Sequence, residues 1–346
     1  MTDYEEFKNI ICFDNMYKAL KSSCKNVRWK DSIINYEENG LINTKKLIDI
    51  LLERKYELKP YIVMTVHEPK ERIIYCTSIE DRQVQHCICD NYLYDEITRS
   101  FIYDNFACLH NKGNHRFIKR LTQHLVKFYN KNHSNQGFAL TCDIKSFFNS
   151  IPHDVAKKAI DKRVRNRYIR EIIYKIIDSY DGEIGLYAGG QVVQLVALAV
   201  LDDLDHYIKE QLHIKYYMRY NDDFILIHSD KEYLKECKIK INKELNKIGL
   251  HLKEKKTKIT PLSKGFKILH WRFILTEQGK VLRYMEKKKI GKFRRKISKM
   301  IIKEKNSSIN IVEDCFRNFK NYLKQGNTTF YIQLDMKNFI KTKREE

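Results

Sequence analysis

Two β-rich apolar runs between residues 216 and 227 are separated only by Asn221-Asp222-Asp223. Asn and Asp suit a tight turn because they bond their own backbone and tolerate left-handed conformations. The spacing therefore predicts a hairpin with adjacent carboxylates at its tip, held there by core packing on both sides. Two like charges at such a turn repel. A divalent cation removes the repulsion, and Mg²⁺ takes oxygen ligands while retaining several waters. The ordinary fate of an isolated Asp-Asp is a solvated turn, so a second acidic position has to be found before chemistry is inferred.

Asp143 supplies it. It closes the apolar run of strand length at 138–144, and a carboxylate between Cys142 and Ile144 is costly to bury unless paired or ligated. If the strand of Asp143 lies beside the hairpin, three carboxylates converge. That donor set suits two metal ions about 3.5–4 Å apart, which activate an attacking hydroxyl and stabilise a leaving phosphate oxygen. The chemistry by itself fits nuclease and polymerase alike.

Composition agrees with a phosphoester substrate. Lys and Arg number 65 against 44 Asp and Glu, a formal charge of +21. Each cation set against a phosphate releases a condensed counterion. A 43% hydrophobic content with 22 Tyr and 17 Phe excludes wholesale disorder, and 12 Gly with 4 Pro excludes collagen-like or Pro-rich designs. No stretch approaches the roughly 18 apolar residues of a bilayer span. The acidic start, MTDYEEFKNI, lacks the basic and apolar regions of a signal peptide. Nine scattered cysteines favour reduced thiols and a cytoplasmic setting. His86-Cys87-Ile88-Cys89 has zinc-ligand types, but no second pair follows it, so no zinc site is expected.

The 346 residues are expected to form a mixed α+β chain. Helical patterns alternate with polar breaks over 1–60, and 61–76 reads as two short strands around Glu68-Pro69-Lys70-Glu71. Residues 79–135 look mostly helical, broken near 111–114. A loop at 185–190 opens onto a long apolar pattern, and 266–275 is strand-like. Within 287–305, ten of nineteen residues are Lys or Arg and only Glu304 is acidic, which predicts a basic helix along a polyanion.

Taken together, Asp143-Ile144-Lys145-Ser146-Phe147-Phe148, Gly189 with Gln194 ahead of a helix, and Tyr220-Asn221-Asp222-Asp223 resemble motifs A, B and C of reverse transcriptases, in order and spacing. The resemblance implies a right-hand polymerase with palm (antiparallel sheet plus helices), fingers and helical thumb. Residues 1–135 would be N-terminal extension and fingers. The palm would take 136–265 with a helical insert at 153–183, and 266–346 would be primer-grip hairpin and thumb. Asp143, Asp222 and Asp223, with the backbone of Ile144, would hold two Mg²⁺ ions, Mn²⁺ being an alternative. Phe148 falls where the family carries its steric gate against a 2′-hydroxyl. Lys70 and Arg72 resemble the fingers cations that grip the triphosphate, and Gly189 and Gln194 match the loop under the nascent base pair. Lys256 matches a lysine that donates a proton to pyrophosphate. Residues 266–273 look like the primer grip, and Arg82 and Asn105 lie in segments resembling template-contacting fingers.

The chain also departs from the family pattern. Tyr187 replaces a proline and Val193 a serine in motif B, and Leu269-His270-Trp271 stands where Leu-Gly-Tyr is usual. No maturase, retron signature or RNase H constellation is evident. Two relatives remain, diversity-generating retroelement enzymes and the defence-associated "unknown group" and abortive-infection enzymes, and the altered motif B favours defence. The expected partners are a template noncoding RNA, deoxynucleoside triphosphates and a DNA product, without a membrane. A homo-oligomer or accessory protein is left open. The rival activities are an RNA polymerase, an untemplated terminal transferase, a metal nuclease and a catalytically idle RNA-binding protein.

Overall fold

The structure is a computed structural model, and it describes residues 1–67, 72–304, 310–324 and 326. The chain forms two compact units, each assembled from three separate stretches. Unit 1 comprises Met1–Tyr103, Ile144–Tyr207 and Asn242–His251, and unit 2 comprises Asp104–Asp143, Ile208–Ile241 and Leu252–Glu346.

Unit 1 is mainly helical. Its first helix, Asp3–Ile10, starts at a capping box in which Thr2 and Glu5 satisfy each other's backbone N–H groups. The helix Arg167–Asp178 shows how the sequence dictates burial. Asn166 caps it by accepting from the N–H groups of Tyr168 and Ile169, and Ile169, Ile172, Ile173, Ile176 and Ile177 form one buried stripe. The two strands expected at 61–76 are β1 (Ile62–Val66) and β2 (Arg72–Cys76), paired antiparallel.

Unit 2 carries two antiparallel sheets. The first contains β3 (Phe138–Asp143), β4 (Tyr216–Tyr220), β5 (Asp223–His228) and β6 (Lys258–Pro261), in the order β4-β5-β3-β6. Phe224, Ile225, Leu226 and Ile227 are all buried, as a continuous apolar run in an interior strand should be. The second sheet is β7 (Phe266–Ile268), β8 (Trp271–Leu275) and β9 (Val281–Met285). The helix Asn114–Asn132 lays Phe117, Ile118, Leu121, Leu125 and Phe128 into one core with Met218, Ile225, Trp271 and Phe273.

Leu269 and His270 both hold positive φ (48° and 70°) in the two-residue β7–β8 turn. Such turns normally use Asn or Gly. Here the packing of Trp271, which is fully buried and donates to the Tyr322 hydroxyl at 3.0 Å, holds the turn in place. The basic run begins a helix, Lys287–Glu304. Among the described residues no disulfide joins the cysteines, and no helix is long and apolar enough to cross a membrane.

Candidate active site

The hairpin expected at 216–227 is β4–β5, and its turn is shorter than the sequence suggested. Asn221 adopts φ +58° and Asp222 completes the turn, while Asp223 is already the first residue of β5. That one-residue difference sets the site, because Asp223 thereby enters the sheet register opposite Asp143. Directly opposed residues of an antiparallel pair have Cα atoms roughly 4.5–5.5 Å apart. Asp143 is 6% exposed, and it sits close enough to Asp223 to push the latter's pKa up. Asp222 follows in the turn within electrostatic reach of both.

Burial and mutual repulsion act together on this cluster. Burial raises the pKa of Asp222, and the charge of Asp143 adds to it. Asp223 is pushed up by burial first, then by the charges of Asp222 and Asp143. Lys256 answers part of the excess by ion-pairing with Asp143. Burial works against its ammonium, but the hydrogen bond and charge of Asp143 prevail and raise its pKa. Within the lysine-rich run at 253–258, Lys256 is brought to Asp143 by the short turn in which the Lys253 N–H donates to the Asp143 carbonyl at 2.8 Å.

The donor set is all oxygen and carries more negative charge than Lys256 balances, which fits a hard divalent cation. Asp143, Asp222 and Asp223 are the side chains that could hold one. As the side chains stand, no three His, Cys, Asp or Glu among the described residues are gathered into a metal-holding set. One Asp143 oxygen is engaged by Lys256.

Arg219 is a residue the sequence reading passed over. It is fully buried, and its guanidinium donates to the Asn221 carbonyl at 3.2 Å, bracing the turn from behind. Its backbone pairs with the 104–106 segment, donating to Asp104 and accepting from Phe106, both at 3.0 Å. The signal was an arginine inside the apolar run YYMRY. Asn105 is fully buried against that backbone.

Phe148, Gly189 and Gln194 belong to unit 1. Phe148 is half-buried in the short helix Phe147–Ser150, and its carbonyl accepts from Leu186 at 2.8 Å, tying motif A to the motif B loop. Gly189 packs so close to β2 that a Cβ there would lie 2.9 Å from the Tyr75 carbonyl oxygen. Gly189 and Gln194 line a cavity of about 330 Å³ together with Tyr75, Arg82, Gln85 and Gln191. Arg72 opens β2, and Lys70 lies outside the described residues.

Among curated proteins none matches the chain. Solved telomerase structures do. The apo telomerase of Candida tropicalis aligns at a TM-score of 0.51 and 14% identity over 65% of this chain and 48% of that one. Its form truncated from the C-terminal domain gives 0.51 and 15%, over 71% and 60%. The Candida albicans telomerase in complex with a fragment of telomeric RNA gives 0.53 and 10%, over 84% and 61%. This chain thus spans about half to three fifths of those proteins, and the likeness shows the fold, that of the right-hand polymerases. A family described as reverse transcriptase (RNA-dependent DNA polymerase) matches residues 54–273, which include every position discussed above from Lys70 to Lys256. The chain therefore belongs to the reverse transcriptase family.

Proposed function

We propose that this protein is an RNA-directed DNA polymerase whose active centre is formed by Asp143, Asp222, Asp223 and Lys256. The observation that carries the reading is the sheet register that sets Asp143 opposite Asp223, with Asp222 beside them. Two Mg²⁺ ions, or Mn²⁺, held by the three carboxylates and the Ile144 carbonyl would activate a primer hydroxyl and stabilise the departing pyrophosphate. Lys256 is the group that protonates the pyrophosphate. Phe148 excludes a 2′-hydroxyl, Gly189 and Gln194 seat the nascent pair, and Lys70 and Arg72 hold the triphosphate. The fingers, palm and thumb are assigned by the ranges given above, with 287–305 lying along the duplex backbone.

The template is an associated noncoding RNA, copied in the cytoplasm in antiphage defence. Supporting that role is the altered motif B. Tyr187 packs among Tyr61, Tyr75 and Tyr180, with ring centroids 4.7, 3.9 and 4.6 Å away, so an aromatic cluster replaces the family's proline. A loop built this differently suits specialised priming or a restricted template.

Purified protein with Mg²⁺, deoxynucleotides and its copurified RNA should synthesise DNA. The double variant Asp222→Asn, Asp223→Asn should lose at least about a hundredfold in rate, since metal-assisted charge stabilisation is worth several kcal/mol. Sustained synthesis by that variant would refute the site. Phe148→Ala should admit ribonucleotides, measured as the ratio of kcat/KM for the two sugars. Sequencing the copurified nucleic acid tests the biological role, because a mutated copy of a neighbouring gene would point to diversity generation instead.

A further inference from the structure

The chain has two tryptophans with opposite fates. Trp271 is fully buried, whereas Trp29 is 75% exposed, the largest side chain presented so openly among the described residues. Trp29 lies in unit 1, in the turn joining the helices Phe13–Cys24 and Asp31–Glu38.

This turn is braced on both sides of the indole. Val27 packs against the core formed by Leu20, Cys24, Ile33 and Ile79. Arg28 grips Glu37 with two hydrogen bonds of 2.8 Å, and Lys21 reaches the same carboxylate at 3.1 Å. Backbone bonds from Val27 to Cys24 and from Lys30 to Val27 close the turn. Trp29 is thus held outward by its neighbours' anchoring, at the full cost of leaving a large apolar surface in water.

Charge along this stretch is one-sided: Lys18, Lys21, Lys25, Arg28 and Lys30 are set against only Asp31 within residues 18–31. The nearby Glu37 is already engaged by Arg28 and Lys21, whose contacts lower its pKa. The Lys30 ammonium sits over one face of the Trp29 ring, 5.3 Å from its centroid, so a base would stack on the opposite face with that cation within reach of its phosphate. An exposed aromatic plane among cations is the arrangement that binds single strands, since every base has a π face and every phosphate a charge.

We propose that Trp29, with Lys25 and Lys30, is a docking site on unit 1 for single-stranded RNA, binding one base by stacking and its phosphates by charge. The choice of RNA over DNA rests on the polymerase reading above, and the stacking site does not.

The two tryptophans make the test direct, because RNA contact should alter emission from Trp29 and leave that of Trp271 unchanged. A short oligoadenylate added to the full chain without metal or deoxynucleotide should quench the emission, and inorganic polyphosphate should not. Binding of labelled oligoadenylate should weaken about tenfold in Trp29→Ala and persist in Trp29→Phe. The variant Lys25→Gln, Lys30→Gln keeps the reporter and should flatten the slope of log K against log salt by about 1.4, at roughly 0.7 per phosphate. It serves also if Trp29→Ala does not fold, as judged by circular dichroism. Emission unmoved by RNA, equal quenching by polyphosphate, or an unchanged affinity in Trp29→Ala would overturn the site. Tighter binding of oligodeoxyadenylate would overturn the choice of RNA. Self-association that depends on Trp29 and occurs without RNA would reassign the face to a second copy. Loss of polymerase activity in the Asp222, Asp223 double variant has no bearing on these readouts.

Discussion

At the residue scale the acidic cluster was legible because two signals converged: a carboxylate ending an apolar strand, and a carboxylate pair between two others. The exact turn was not, since hairpin register depends on which residue leaves the sheet, and Asp223 stays in it. Arg219 and His124 escaped for a different reason, as both are polar residues buried by long-range packing. His124 is 3% exposed, and its Nδ1 has no hydrogen-bond partner. Burial lowers its pKa to about 4, against the opposing pull of Asp104. A histidine held neutral in the folded state and protonated in the unfolded one costs stability as pH falls. That contribution is intact above about pH 6.5, the ordinary value. It is lost as pH falls from there to about 4, below which both states are protonated. The expected loss is on the order of 3 kcal/mol, at 1.36 kcal/mol per pH unit. Denaturant midpoints measured between pH 7 and 4 should fall more steeply for the wild type than for His124→Gln, and parallel curves would contradict the assignment.

At the element scale, long and strongly patterned segments were readable, and the short edge strands β6 and β9 were not. The isoleucine stripe of Arg167–Asp178 and the apolar runs of β3 and β5 follow directly from period and length. By contrast β6 and β9 are short and mostly half-exposed, with no alternation to betray them. The Leu269-His270 turn carries no glycine or asparagine signal, because core packing rather than local preference sets its conformation. The 185–190 loop offers a test of how tightly elements meet. A methyl at Gly189 would lie 2.9 Å from the Tyr75 carbonyl oxygen, and that obstacle is backbone of β2. Either the loop or the strand must shift. Overpacking of this kind costs about 1–3 kcal/mol. Gly189→Ala should therefore lower the Tm and raise KM for deoxynucleotides, since the same loop lines the cavity with Gln194. An unchanged Tm would mean the contact is looser than drawn.

At the scale of the whole molecule, chain order and compact units diverge, and no composition shift or linker in the sequence announced it. Each unit draws on three stretches, so the first hundred residues pack against partners encoded much later. The ties are specific. Asn166 donates to the Asp3 carbonyl at 2.8 Å, Arg54 pairs with Glu171 at 2.7 Å, and Tyr61 shares a hydrogen bond with Ser179 at 2.9 Å. Phe7, 2% exposed, stacks on Tyr168 with ring centroids 5.4 Å apart. A fragment ending at Tyr103 leaves all four partners behind and returns Phe7 toward water. Helices such as Phe13–Cys24 are too short to persist on propensity alone, since isolated helices under roughly 12–15 residues are marginal in water. The fragment 1–103 should therefore show residual helical circular dichroism without a sigmoidal thermal transition, whereas the full chain unfolds cooperatively. A sharp transition in the fragment would mean that the small N-terminal core of Leu20, Cys24, Ile33 and Ile79 suffices by itself, and that the later stretch Ile144–Tyr207 docks onto it instead of completing it.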